Sequence, residues 1–257
     1  NHTDALMSTK KIAQKARKMG FGVAITDHND IRGALEMSQY EDVFSIPGIE
    51  VGGSEGIHTL VYFKTYQDLQ HFYRNHIEPH RSSKSFHILD VPTMQIIRAA
   101  ARYDALISAA HPFGPGAMGI AKPMHGELAD QAILEGLDAV EVINGAIFPR
   151  QNTKAAHFAQ IASLGITGGS DGHTMREIGK TLTVADADSP ADFLDAIRYN
   201  RSTVIGKENH LLLKPHTKIC TVRDWGRNPL RYGRFAGSML KKKISYHISA
   251  KNQNQSE

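Results

Sequence analysis

Gly165-Ile-Thr-Gly-Gly-Ser-Asp-Gly-His173 is the stretch from which the fold can be read. An apolar run around Leu164 and Ile166 climbs into two glycines and then delivers Asp171 and His173, two residues apart. Side chains two apart on an extended chain point the same way, so both reach one cavity from one strand end. The arrangement repeats along the chain. Apolar, strand-like runs end in ligand-type residues at Ala24-Ile-Thr-Asp-His28, Ser45-Ile-Pro-Gly-Ile-Glu50 and Leu106-Ile-Ser-Ala-Ala-His111.

Between these runs the pattern is helical. Ser8 is placed to cap a helix carrying Ile12, Ala16 and Met19 on one face, with Gly20 to stop it. Further helices are expected around 31–39, from Tyr66, from Thr93 as cap, over 127–135 and 151–163, and after the Ser189-Pro190-Asp192 capping box. A Gly-rich turn (Gly52, Gly53, Gly56) leads to His58 and a strand over 59–63. His71, His76, His80 and His87 fall in a polar segment and are read as solvated; the Gly/Pro-rich loop 113–125 is read as an active-site lid. Strands alternating with helices mean a parallel α/β sheet. Ligand-type residues at several strand ends favour a barrel whose site collects on that face. About 205 residues are few for eight full units, which predicts a distorted barrel over 1–206.

The composition is that of a globular chain, 41% apolar and 22% charged. No apolar run reaches the roughly 18 residues of a membrane helix and no signal-peptide pattern opens the chain, so no membrane partner and a cytoplasmic location are expected. A single cysteine, Cys220, excludes an internal disulfide and Cys-rich zinc sites. Any metal site must therefore use His, Asp and Glu, which suits zinc, manganese or iron. Residues 210–257 hold ten Lys/Arg against two Asp/Glu, a net of +8, while the rest of the chain is net −4. The reading is an acidic body with a basic, partly disordered C-terminal extension over 207–257.

Asp4, His28, Glu50, His58, His111, Asp171 and His173 are the candidate metal ligands. Glu50 stands inside an apolar run, where an unpaired carboxylate is costly. Seven N/O ligands exceed what one ion takes, so a multinuclear site is inferred. Closely spaced metals bridged by a carboxylate suit activating water and clamping a phosphoryl oxygen.

In this order and spacing the motifs resemble the PHP (polymerase and histidinol phosphatase) superfamily. The resemblance runs from about Asp4 to Gly206. It rests on Thr3-Asp-Ala-Leu-Met-Ser8, Ala24-Ile-Thr-Asp-His-Asn29, Ile46-Pro-Gly-Ile-Glu-Val51, Gly56-Ile-His-Thr-Leu60, Ala109-Ala-His-Pro-Phe113, Val140-Glu-Val-Ile-Asn-Gly145, and Gly168-Gly-Ser-Asp-Gly-His173 followed by Ile178-Gly-Lys-Thr181. It implies a distorted (β/α)7 TIM-like barrel, a metal-dependent phosphoesterase activity and up to three divalent ions. The seven residues above would be the ligands, with Glu50 a bridge. Asn144 and Arg150, past the Glu141 strand, are candidates to orient the substrate phosphate, Arg by its bidentate fork. One departure stands out. The family opens with a His-x-His strand shortly before the position of Asp4, and this sequence, beginning at Asn1, has neither; His2 has the wrong spacing. The expectation is that a short upstream segment is missing.

The leading functional reading is a metal-dependent phosphoesterase acting on a small phosphorylated metabolite or nucleotide. The alternative is a nucleic-acid-directed module. Its support is the tail, where Arg223, Trp225, Arg227, Arg231, Tyr232, Arg234 and Phe235 mix cations with aromatics as single-strand binders do. A third class, an amidohydrolase-like enzyme, usually needs a metal-bridging lysine after a central strand, and none is evident.

Overall fold

The computed structural model describes residues 7–81, 87–114, 118–122 and 127–206. Asp4, the extension 207–257 and parts of the loop 113–125 lie outside the described residues. In chain order the elements are α1 (Thr9–Met19), β1 (Val23–Ile25), α2 (Arg32–Met37), β2 (Ser45–Gly52), β3 (His58–Tyr62), α3 (Tyr66–Phe72), α4 (Thr93–Ala101), β4 (Leu106–Ala109), β5 (Ala121–Lys122), β6 (Glu127–Leu128), α5 (Gln131–Glu135), β7 (Ala139–Asn144), α6 (Pro149–Ala162), β8 (Gly165–Gly169), β9 (Thr181–Ala185), α7 (Pro190–Arg198) and β10 (Ser202–Gly206). A π-turn (Tyr73–Ile77) and a 3₁₀ turn (Glu78–His80) extend α3.

Six strands form one sheet in the order β1-β2-β3-β4-β7-β8, with β9 and β10 as an antiparallel pair beside β8. Thr183 on β9 bonds both the N–H and the C=O of Gly168 on β8, and Ser202 at the start of β10 donates to the Ile166 carbonyl. The sheet curls. Ser108 on β4 and Thr167 on β8, with β7 between them, still meet hydroxyl to hydroxyl at 2.9 Å. The distorted TIM-like α/β barrel expected from the sequence is the architecture found, as a curled half-barrel.

One strand runs against expectation. β3 is antiparallel to both neighbours, β2 and β4. The five residues between β2 and β3 form a tight turn, too short for the crossover that a parallel strand needs. This reversal places His58, the first residue of β3, opposite Gly52, the last residue of β2.

Helix termini follow local chemistry. Ser8 and Ser189 accept from the N–H groups of Lys11 and Asp192, and Gly20 ends α1 at φ 69°. Thr93 is not the cap of α4 but its first residue. Its N–H and hydroxyl both donate to Glu55, which caps the helix from the β2–β3 turn. The helix expected over 127–135 is shorter, because 127–128 pair with 121–122 as β6 and only Gln131–Glu135 is helical. No helix among the described residues is long and apolar enough to cross a membrane.

The main core lies between β2–β4 and the helices α3 and α4, around Ile49, Val61, Phe63, Phe72 and Ile96. α7 plugs the amino-terminal ends of the strands, packing Leu194 and Ile197 on Ile46, Leu106 and Ala139. Arg198, at its end, locks this floor. Its guanidinium donates to Asp104 at 3.0 Å, to the Ala105 carbonyl at 2.9 Å and to Asp138 at 3.3 Å. Asp138 in turn accepts the Ile107 N–H. Charge-assisted bonds of this kind contribute roughly 2 kcal/mol. Arg198→Ala is therefore expected to lower the melting temperature by ~4–8 °C for a domain of this size, with metal uptake unchanged, as read by thermal denaturation and metal analysis.

Candidate metal centre

The candidate ligands converge at the opposite end of the strands. His28 follows β1, Glu50 lies near the end of β2, His58 opens the reversed β3, His111 follows β4, and Asp171 and His173 follow β8. Glu50 is the hub. It is buried, and its Oε1 lies 2.8 Å from His58 Nδ1, 3.2 Å from His111 Nε2 and 3.7 Å from His28 Nδ1. A bridge between His28 and Glu50 extends the β1–β2 pairing into the site.

Backbone strain gathers here. Asn29, His111 and Asp171 all have positive φ, at 49°, 28° and 42°. Such conformations disfavour side-chain-bearing residues and persist where the surroundings hold them. A buried carboxylate, Glu141 on β7, supplies part of that hold. It accepts the His111 N–H at 2.8 Å and the Asn144 amide at 2.8 Å, and the same amide reaches Asp171 at 3.3 Å. Asn144 thus ties two strained loops together from behind, and its Oδ1 accepts from the Ala146 N–H. Its amide bonds the Glu141 and Asp171 carboxylates, and the residue itself lines the cavity. Arg150 is exposed in the first turn of α6 and is not among the residues that line the cavity.

The charges are mutually dependent. Burial opposes ionisation of Glu50, but His28, His111 and His58 outweigh it and hold its carboxyl well below the usual carboxylate range. Burial alone would lower His111; the bond to Glu50 and the charges of Glu50, Asp171 and Glu141 instead raise it to about 9. His58 is pushed down by burial against the pull of Glu50. Burial pushes Glu141 up to about 7, with His111 opposing and Asp171 reinforcing the rise.

His28, Glu50 and His58 each offer a ligand atom within 4.8 Å of the others. His58 Nε2 is buried with no hydrogen-bond partner among the described residues, a cost that a bound cation would relieve. Imidazoles around a carboxylate suit borderline divalent ions, so these residues fit a metal. Asp171 and His173 line a cavity of about 620 Å³ together with His28, Glu50, His111 and Glu141. His173 is held to its loop, its N–H donating to Glu177 and its Nδ1 lying 3.1 Å from the Asp171 carbonyl.

Two residues of the site were not read as such from the sequence. Glu141 interrupts an apolar run just as Glu50 does, and the same argument applied to it would have found it. His87, read as solvated, lies with its ring centre 4.3 Å from that of His28. No local pattern marks it.

Known proteins agree with this architecture. A family model described as PHP-associated matches residues 149–202. A Bifidobacterium adolescentis protein assigned as a metal-dependent phosphoesterase superposes with a TM-score of 0.52 at 18% identity, over 81% of this chain and 94% of that one. A two-domain Bacteroides vulgatus protein containing an assigned PHP-like metal-dependent phosphoesterase gives 0.58 at 15% identity, over 79% of this chain and 61% of that one. The chain has the PHP fold. The lesion-specific endonuclease Q of Pyrococcus furiosus also shares it, with a TM-score of 0.57 at 19% identity over 77% of this chain and 53% of that one. This chain therefore spans little more than half of the endonuclease. No curated protein matches it significantly by sequence. The resemblance to the PHP superfamily read from the motifs agrees with both the family model and the fold.

The Asn144 strut yields a direct test. Asn144→Ala removes a buried donor from two carboxylates and is expected to cost about 2 kcal/mol in denaturant unfolding. Asn144→Asp, which adds a third carboxylate beside Glu141 and Asp171, should cost more. Equal stability of the wild type and both variants would rule out the strut.

Proposed function

We propose that this chain is a metal-dependent phosphoesterase whose divalent ions are held by His28, Glu50, His58, His111, Asp171 and His173, with Asp4 as a further ligand. The observation that carries the reading is the buried Glu50 carboxylate surrounded by three imidazoles at 2.8–3.7 Å, beside a cavity that runs from the candidate ligands to the α7 floor. The ligand chemistry suits zinc, manganese or iron, and the number of donors suits up to three ions. When bound, such ions lower the pKa of water and stabilise charge on a phosphoryl oxygen.

The chain's own residues set up this chemistry. Glu50 brings negative charge to the centre of the imidazole group. Glu141 and Asn144 hold the His111 and Asp171 loops in their strained shapes, so that both side chains are oriented before a ligand arrives. Arg150 does not line the cavity as the structure stands, and it is kept as a candidate to orient the substrate phosphate.

The likeness to endonuclease Q, and the basic stretch 210–257, favour a second substrate class, the phosphodiester of a nucleic acid. One assay addresses both. Metal-loaded protein is offered p-nitrophenyl phosphate, bis-p-nitrophenyl phosphate and an oligonucleotide. Turnover should vanish on chelation, return on adding metal, and fall in Glu50→Gln by at least the roughly 10–100-fold that loss of even an outer-shell partner of a metal ligand causes. Release from the monoester alone supports a metabolite phosphatase; release from the diester or cleavage of the oligonucleotide supports the second class. No metal-dependent release from any of them overturns the proposal.

A further inference from the structure

The segment that leads into α4 is tied to the end of β2, the strand that carries Glu50. Leu89 donates its N–H to the Gly52 carbonyl at 2.8 Å, Ser54 donates to the Val91 carbonyl at 2.8 Å, and Glu55 receives both donors of Thr93. Two adjacent glycines make this approach feasible. A Cβ on Gly52 would collide with the His87 carbonyl oxygen, and one on Gly53 with the Thr93 hydroxyl. His87 is thereby delivered, half-buried, into the group of imidazoles.

The ring geometry is specific. His28 stands edge-on to His87 at 4.3 Å between centres and edge-on to His58 at 5.0 Å, while His58 and His87 lie nearly parallel at 6.3 Å. An imidazole bound at about 2.0–2.1 Å puts its ring centre about 3.2 Å from the ion, so two such rings at a tetrahedral angle have centres about 5 Å apart. The His28–His58 pair matches that value, and His87 stands nearer to His28 and farther from His58. The other histidines of the segment differ. His71 and His80 are exposed, and His76 packs against Phe72 and Tyr103.

We infer that His87 is a further ligand of the metal centre, completing a three-imidazole set with His28 and His58 around an ion that Glu50 also contacts. The inference rests on the reading of the His28–Glu50–His58 group as a metal site.

The test is binding of Co²⁺ to the full chain after chelator stripping, followed by visible d–d absorption and by metal content per chain. His87→Phe keeps a ring stacked on His28 but removes the nitrogens; His87→Ala removes both; His80→Ala is the control outside the cavity. Both His87 variants should weaken Co²⁺ binding by ~10-fold or more and alter the absorption band, while His80→Ala behaves as wild type. Far-UV circular dichroism of the stripped proteins checks folding, and if His87→Ala unfolds, His87→Phe decides. Wild-type affinity and spectrum in His87→Phe, with binding lost in Glu50→Gln, overturn the role of His87 alone. A wild-type protein that takes up no Co²⁺ overturns the metal-site reading along with it.

Discussion

A carboxylate removed from water must be compensated, and the placement of Glu50 in the apolar strand β2 imposes that requirement on the whole fold. An uncompensated buried charge costs several kcal/mol. The compensation comes from imidazoles on three separate segments: the loop after β1, the start of β3 and the loop after β4. They meet on one oxygen because the sheet curls and because β3 runs backwards. Had β3 been parallel, His58 would open at the far end of the barrel. A short turn with no room for a crossover thus decides which histidine reaches the centre.

The two ends of the strands are built on different principles. At one end, α7 closes the floor with apolar packing, and Arg198 and Lys64 gather Asp104, Asp138 and Asp195 into an ion-pair network. Charges there are neutralised locally, and the positive-φ residues Asp104, Ser163 and Asn200 sit just past helices, where such conformations are ordinary. At the other end, positive φ falls on Asn29, His111 and Asp171, in loops that follow strands and carry or adjoin candidate ligands. Strain at that end is held by Glu141 and Asn144, two polar side chains with almost no exposure. Stability and chemistry are separated by the length of a strand, a division common to barrels of this kind.

Much of this was legible along the chain, because apolar periodicity and capping are local. Ser8, Ser189 and Gly20 mark helix ends by chemistry that involves only their near neighbours. Glu50 and Glu141 are visible as carboxylates inside apolar runs, and His28, His111, Asp171 and His173 as polar residues where such runs end. Thr93 misled for the opposite reason. A threonine ahead of a helical pattern looks like a cap, but the group that satisfies the first turn of α4 is Glu55, 38 residues earlier.

The sequence by itself determined the α/β alternation and most of the residues that gather at the candidate site, since each depends on which side chains follow a strand. Only the tertiary structure decided the direction of β3, the turning of Asn144 toward Glu141 and Asp171, the exposure of Arg150 and the arrival of His87 beside His28. These depend on pairings between residues far apart in the chain: Gly52 against Leu89, Glu141 against the His111 N–H. Such pairings leave no periodic trace, because what selects them is the need of each buried polar group for a partner across the fold.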